Sequence, residues 1–142
     1  MEWIALIAWL LTAAGGFVLL SIWVARGGMQ QAREPGSRIR PGLILGHFAL
    51  AAIGLVLWII FVATDSDALA WIAFASLVVV ALLGWAMFAI WWRRRQSGAH
   101  AQVVDPAMPA EQHFPVLIVA GHGVLAVTTV VLVFLAAIGV GD

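Results

Sequence analysis

Four long runs without a charged residue dominate the sequence and restrict its fold more than any other feature. They cover residues 3–25, 41–64, 68–92 and 114–141. The hydrocarbon core of a bilayer takes about 20 helical residues to cross, so each run is long enough to span it. Because an open strand leaves its amides unpaired in lipid, we expect every run to be helical. The sequence thus predicts an all-α polytopic membrane protein, a four-helix bundle forming one membrane domain over residues 1–142.

Composition excludes several classes of function. Hydrophobic residues make up 64% of the chain and charged residues 10%, against about 45–50% and 25% in soluble domains. The absence of cysteine excludes thiol catalysis, thiolate metal sites and covalently attached c-type haem. A net charge of zero argues against nucleic-acid binding. No residue set suits acid–base or nucleophilic catalysis, so we expect no enzyme activity from the chain alone, although it could be a subunit of a membrane oxidoreductase.

The charged residues predict the orientation of the bundle. All seven basic residues are arginines, in or beside the loops that follow the first and third runs. The opposite ends carry the acidic Glu2, Asp65, Asp67 and Asp142. The positive-inside rule then puts both termini outside and the two longer loops in the cytoplasm. Tryptophans are expected at the two membrane surfaces, with Trp23, Trp91 and Trp92 inside and Trp3, Trp58 and Trp71 outside.

An internal repeat is visible when the sequence is compared with itself. At an offset of 68 the first and third runs share eight identities: Trp3/Trp71, Ile4/Ile72, Ala5/Ala73, Ala13/Ala81, Gly16/Gly84, Ile22/Ile90, Trp23/Trp91 and Arg26/Arg94. At an offset of 75 the second and fourth runs share six, which include Gly46/Gly121 and His47/His122. The chain therefore resembles two parallel copies of a helical hairpin, with halves at residues 1–64 and 68–142.

His47 and His122 are the ionisable side chains inside the four runs, and ionisable residues within a membrane are expensive and commonly functional. Both lie roughly 9–11 Å from the cytoplasmic ends of their helices. The repeat gives them equivalent positions on parallel helices, so their imidazoles are expected to face each other at one depth. This arrangement suits axial ligation of a single haem b iron.

Other residues fit the same hypothesis. Gly46 and Gly121, which precede the histidines, and Gly16 and Gly84, at a comparable depth on the other two helices, could leave room for the macrocycle. Arginines at the cytoplasmic rim, with His113, could reach the haem propionates; they are Arg38, Arg40 and Arg93. A bare zinc or copper ion would require further donors that the runs do not supply.

Two other interpretations remain open. Each histidine could hydrogen-bond to a carbonyl or hydroxyl group of a neighbouring helix, and the glycines could serve helix packing. The chain would then be a non-catalytic membrane subunit or assembly factor without a cofactor. A small transporter or proton path is a third alternative, weakened because the runs contain no acidic residue.

The pattern resembles small four-helix membrane cytochromes b and the haem-bearing anchor subunits of quinone-linked oxidoreductases. It is also similar to uncharacterised four-span proteins of high-GC bacteria. The resemblance rests on the four runs with His47 and His122. It implies one haem b, electron transfer to a quinone or a larger redox complex, and a place in the bacterial inner membrane. Di-haem relatives carry a second histidine pair, which this sequence lacks. Assembly into homo-oligomers is left open.

Overall fold

The computed structural model describes residues 1–31, 39–98 and 109–141. These residues form five α-helices and one short 3₁₀ turn. The elements are α1 (Glu2–Ala25), α2 (Gly28–Gln31), α3 (Pro41–Thr64), α4 (Asp67–Gly98), the 3₁₀ turn (Ala110–His113) and α5 (Val116–Ala137).

Four of the helices, α1, α3, α4 and α5, are long and apolar enough to cross a membrane. The predicted all-α bundle of four membrane-spanning helices is therefore confirmed. Helices of 22–24 residues are about 33–36 Å long, enough for the apolar core of a bilayer. α4 has 32 residues and runs beyond the apolar segment, because the arginines at positions 93–95 continue the helix.

The helix ends follow local backbone chemistry. Pro41 is the first residue of α3, where its missing N–H costs no helical hydrogen bond. Pro115 is the N-cap of α5, one residue ahead of that helix. At the end of α3, Asp65 adopts a left-handed conformation with φ of 53°. The chain reverses there and α4 begins two residues later, so α3 and α4 are antiparallel neighbours.

The helices form a closed ring. α1 packs mainly against α5, and α3 mainly against α4, while α4 with α5 and α1 with α3 complete the ring. α3 and α5 thus lie diagonally opposite, each between α1 and α4. We call the end with Glu2, Asp65 and Asp67 the acidic end. The other, the arginine end, carries five described arginines: Arg26, Arg40, Arg93, Arg94 and Arg95.

An aromatic and aliphatic core fills the half of the bundle near the acidic end. Trp58 is fully buried, with its ring centroid 6.4 Å from that of Trp9 and 4.7 Å from that of Phe61. Its indole Nε1 donates to the carbonyl of Glu2 at 3.4 Å. Val133 on α5 joins the same cluster, so helices α1, α3 and α5 are held together by one set of contacts.

The tryptophans do not all mark the membrane surface. Trp3, Trp71 and Trp92 are exposed on the outside of the bundle, as expected of interfacial residues, whereas Trp58, Trp23 and Trp91 are buried. A large indole gains extensive van der Waals contact where a neighbour is small. Trp23, for example, packs directly against the backbone of Gly28.

The outer surface of the bundle is apolar. Large hydrophobic side chains are exposed along all four membrane-spanning helices, among them Ile7, Phe17, Ile53, Leu82 and Val124. A surface of this kind is stable where lipid chains, rather than water, contact it. We conclude that the bilayer is the partner of these faces.

Candidate functional site

His122 lies on α5 with its imidazole packed against the backbone of α1. Its Nδ1 is 3.0 Å from the carbonyl oxygen of Thr12, so the tautomer protonated at Nδ1 donates a hydrogen bond there. Two glycines make this approach possible. A Cβ at Gly16 would lie 3.0 Å from Cε1 of the ring, and a Cβ at Gly15 would lie 3.5 Å from Nδ1.

His47 on α3 packs against α4 in the same manner. A Cβ at Gly84 would lie 3.3 Å from Cε1 of this ring. The imidazole interacts with the carbonyl group of Val80, although its buried Nδ1 completes no hydrogen bond of ordinary geometry to a described residue. The contact is a looser version of the one at His122.

The two histidine contacts correspond under the sequence offsets. Thr12 and Val80, like Gly16 and Gly84, are 68 residues apart, while His47 and His122 are 75 apart. Each imidazole therefore contacts a glycine and faces the carbonyl of the residue four positions before that glycine. The sequence comparison paired the glycines and the histidines separately, and the structure adds that each glycine contacts a histidine.

The two imidazoles face a common interior. α3 and α5, which carry them, are diagonal in the bundle and share α1 and α4 as neighbours. Both residues are half-buried. That the two imidazoles face each other at one depth stays a prediction.

The orientation of the rings leaves one ring nitrogen of each histidine available. At His122, where Nδ1 is directed at the carbonyl of Thr12, the lone pair is on Nε2, and Nε2 of neither histidine hydrogen-bonds to a residue that the structure describes. Metal-bound histidines typically donate their other N–H to a carbonyl or carboxylate, which fixes the ring and its tautomer. His122 therefore has the ring contact that is typical of metal-bound histidines, whereas Nδ1 of His47 has no hydrogen-bond partner among the described residues.

The candidate site offers two imidazoles as donors. Within the described ranges, no group of three or more His, Cys, Asp or Glu side chains is placed to hold a metal. Zinc sites use at least three protein ligands, whereas a porphyrin supplies four nitrogens itself and needs two from the protein. Two imidazoles on diagonal helices match that requirement.

The predicted glycines divide into two groups. Gly16 and Gly84 contact the histidine rings, as described above. Gly46 and Gly121 are exposed, and a Cβ added at either would meet no atom within 4 Å. They therefore do not shape the contacts of the imidazoles, and their role beside a macrocycle stays a prediction.

The predicted arginines lie at the rim. Arg40 is the N-cap of α3 and is exposed. Arg93, near the end of α4, is also exposed and has a polar or electrostatic partner. Arg38 lies outside the described residues. Arg40 and Arg93 therefore both lie at the arginine end of the bundle.

Several buried polar atoms lie at the arginine end. They are Nε1 of Trp91, Oε1 of Glu111, Nε2 of Gln112 and Nδ1 of His113, and none has a hydrogen-bond partner among the described residues. Of the residues that carry them, only His113 is identified as a candidate site residue from the sequence. Glu111 is 1% exposed, although it lies in a polar connecting segment where solvent exposure is the usual expectation. No sequence pattern predicts that Glu111 is buried, because its burial results from the contacts that the 3₁₀ turn makes.

Gly15 and Thr12 are the other residues that sequence reasoning missed. The Gly15–Gly16 doublet is a usable signal, because two adjacent glycines allow a close approach over more of the helix surface. Thr12 precedes Gly16 by one helical turn and shares its face.

Compared with known proteins, the chain matches no family model, no curated protein and no solved structure.

Proposed function

We propose that this chain is a b-haem-binding membrane protein that transfers electrons, alone or as a subunit of a membrane oxidoreductase. His47 and His122 would hold the iron of one haem through Nε2. Haem supplies the one-electron chemistry when it is bound. A quinone or a larger redox complex at the arginine end is the electron partner that we propose.

The arrangement of the two imidazoles carries the proposal. Each packs on a glycine, at Gly16 or Gly84, and Nδ1 of His122 lies 3.0 Å from the carbonyl oxygen of Thr12. A carbonyl acceptor raises the electron density of the ring and makes Nε2 a better ligand. The backbone contacts also hold both rings in place before any ligand binds, which reduces the entropy lost on binding.

The protein around the histidines has two tasks. It keeps water away from the iron, through the apolar walls of α1 and α4, and this burial contributes to the reduction potential. It also fixes the orientation of the rings through Thr12 and Val80. Since the chain holds no second intramembrane histidine pair, we propose one haem on the arginine side rather than a two-haem path across the membrane.

Orientation and ancestry belong to the same proposal. The positive-inside rule assigns the arginine end to the cytoplasm and both termini to the outside of a bacterial inner membrane. The paired contacts of the histidines support an origin from two copies of one helical hairpin. With that symmetry, a pseudo-two-fold axis along the membrane normal would pass between the two imidazoles.

One observation favours a second candidate, a membrane subunit without a cofactor. The 3.0 Å contact between His122 and the Thr12 carbonyl is itself an interhelical hydrogen bond of the kind that stabilises membrane bundles. In that case both histidines join helices, and substitution would lower stability without changing any spectrum.

The first test is a reduced-minus-oxidised visible spectrum of detergent-purified protein produced with ample haem. We expect a sharp α-band of a low-spin b-type centre, lost in both His47→Ala and His122→Ala. Ser76→Ala is the matched control, because it removes a different interhelical contact, from Ser76 Oγ to the carbonyl of Leu50 at 3.4 Å. That variant should keep the band.

A colourless wild-type protein whose stability falls in the histidine variants would reject the haem proposal and favour the second candidate. Rescue provides a further check on the ligand role. In His47→Gly, free imidazole should restore the low-spin band by entering the space of the missing ring, which a purely structural role does not predict.

A further inference from the structure

The 3₁₀ turn closes the arginine end of the bundle and buries polar atoms without partners. It packs against α1, α2 and α4, and Glu111 in it is 1% exposed. Oε1 of Glu111, Nε2 of Gln112 and Nδ1 of His113 are buried without a hydrogen bond to a described residue, as is Nε1 of Trp91 on α4. An unpaired buried polar group is energetically costly, so these atoms indicate a ligand that completes them.

This group lies directly beyond the histidine pair along the bundle. Trp91 follows Gly84 by seven residues, which is two helical turns on the same face and about 10 Å toward the arginine end. Gly84 is the residue against which His47 packs. The buried indole of Trp91 therefore lies on the inward face of α4, nearer to the arginine end than Gly84.

The chemistry of the group selects an anionic acceptor. Indole Nε1 and the amide nitrogen of Gln112 are donors, and Nδ1 of His113 donates in one tautomer or when protonated. Arginines end the two long helices against which the turn packs, namely Arg26 after α1 and the arginines at positions 93–95 of α4. Glu111 is the exception, because its free oxygen is an acceptor that does not pair with a carboxylate, and Glu111 is therefore not part of the proposed site.

We propose that Trp91, Gln112 and His113 would bind the propionate carboxylates of a haem held by His47 and His122. The inference rests on the function proposed above. It assigns the carboxylates to buried donors within the bundle, in addition to the exposed Arg40 and Arg93 at the rim. Hydrogen bonds from neutral donors to a carboxylate are strong when they are shielded from water.

The experiment compares haem b with its dimethyl ester, in which both propionates are esterified. Full-length protein purified without haem is titrated with each compound, and the low-spin absorbance gives the two dissociation constants. We expect wild-type protein to bind haem b at least about tenfold more tightly than the diester, the effect of losing a hydrogen bond to a charged acceptor. Trp91→Phe should reduce this preference several-fold.

Trp23→Phe is the matched control. Trp23 is buried, corresponds to Trp91 at the offset of 68, and its Nε1 is not among the buried atoms that lack a partner. It should keep the full preference for haem b. Gln112→Leu is a second test variant, because Gln112 is only partly buried and its substitution disturbs packing less than a change at Trp91.

The outcomes separate the two proposals. Equal affinity of wild-type protein for haem b and the diester, with a normal low-spin spectrum, would overturn the propionate site and leave the histidine ligands intact. An unchanged preference in both Trp91→Phe and Gln112→Leu would do the same. If neither compound gives a low-spin spectrum, the axial ligation itself fails, and the propionate site fails with it.

Discussion

The two halves of the bundle differ in what occupies their interior. Near the acidic end, Trp9, Trp58, Phe61 and Val133 form a continuous apolar core, and the indole of Trp58 finds a carbonyl partner. Near the arginine end, the interior holds two histidines and several buried polar atoms that no described residue completes. The first half contains the extensive apolar contacts between helices, and the second contains the candidate site. A bundle can tolerate incomplete polar groups at one end because the other end is well packed.

The largest expected effect is the loss of stability in Trp58→Ala, in the half of the bundle near the acidic end. Removing a fully buried indole should lower the free energy of unfolding by about 3 kcal/mol, since the surrounding helices cannot close the cavity. Unfolding by denaturing detergent in mixed micelles measures the change. Trp3→Ala, at a residue that is 62% exposed, is the control and should cost less than about 0.5 kcal/mol. Equal losses would show that the packed half is not the source of stability.

Glycine substitutions test the histidine half. Gly16→Ala brings a methyl group to 3.0 Å from the His122 ring, and Gly84→Ala brings one to 3.3 Å from the His47 ring. The crowding should displace the imidazoles and weaken haem binding, more for Gly16 than for Gly84, with a stability cost of about 1–3 kcal/mol. Gly42→Ala is the control, because its Cβ would contact nothing within 4 Å and Gly42 is not among the residues predicted to border the macrocycle. Haem titration and detergent unfolding provide the measurements, and an equal response of all three variants would contradict the assignment.

The smallest expected effect concerns the boundary between the halves. Thr12 and Thr129 form a buried hydrogen bond of 2.9 Å between α1 and α5. Thr12→Val should cost about 0.6 kcal/mol, the average for interhelical hydrogen bonds in membranes. Valine fits a corresponding position, because Val80 stands there at the offset of 68. The double variant Thr12→Val, Thr129→Val should cost little more than either change alone, because both remove the same bond. Fully additive losses in the thermodynamic cycle would mean that the hydroxyl groups are not coupled.

Sequence reasoning worked best where the bilayer itself imposes the rule. Lipid forces each apolar run into a helix, so the number and placement of the helices followed from length and charge alone. It worked less well for individual side chains. Trp58, Trp23 and Trp91 were assigned to the membrane surfaces from their depth, and the structure buries them, because depth does not specify which face of a helix points inward.

The candidate site shows the same division. The sequence identified His47 and His122 by their cost in lipid and by their equivalent positions, and it singled out Gly16 and Gly84 as a matching pair. Pairing each glycine with a histidine, recognising Gly15 and Thr12, and burying Glu111 required the tertiary structure. These contacts join residues that are far apart in the chain, as Gly16 and His122 are. They depend on how each helix is rotated about its own axis and on which helices are neighbours in the bundle.

The sequence by itself determined that the chain makes four apolar helices with their arginines at one end and one histidine on each of two helices. These properties are set by local hydropathy and charge, because each segment enters the bilayer according to its own composition. The tertiary structure alone decided that α3 and α5 are diagonal, that each imidazole packs on a glycine of a neighbouring helix, and that polar side chains of the 3₁₀ turn are buried. The physical reason is that these features depend on close packing between surfaces, and packing is specified by pairs of helices rather than by any one of them.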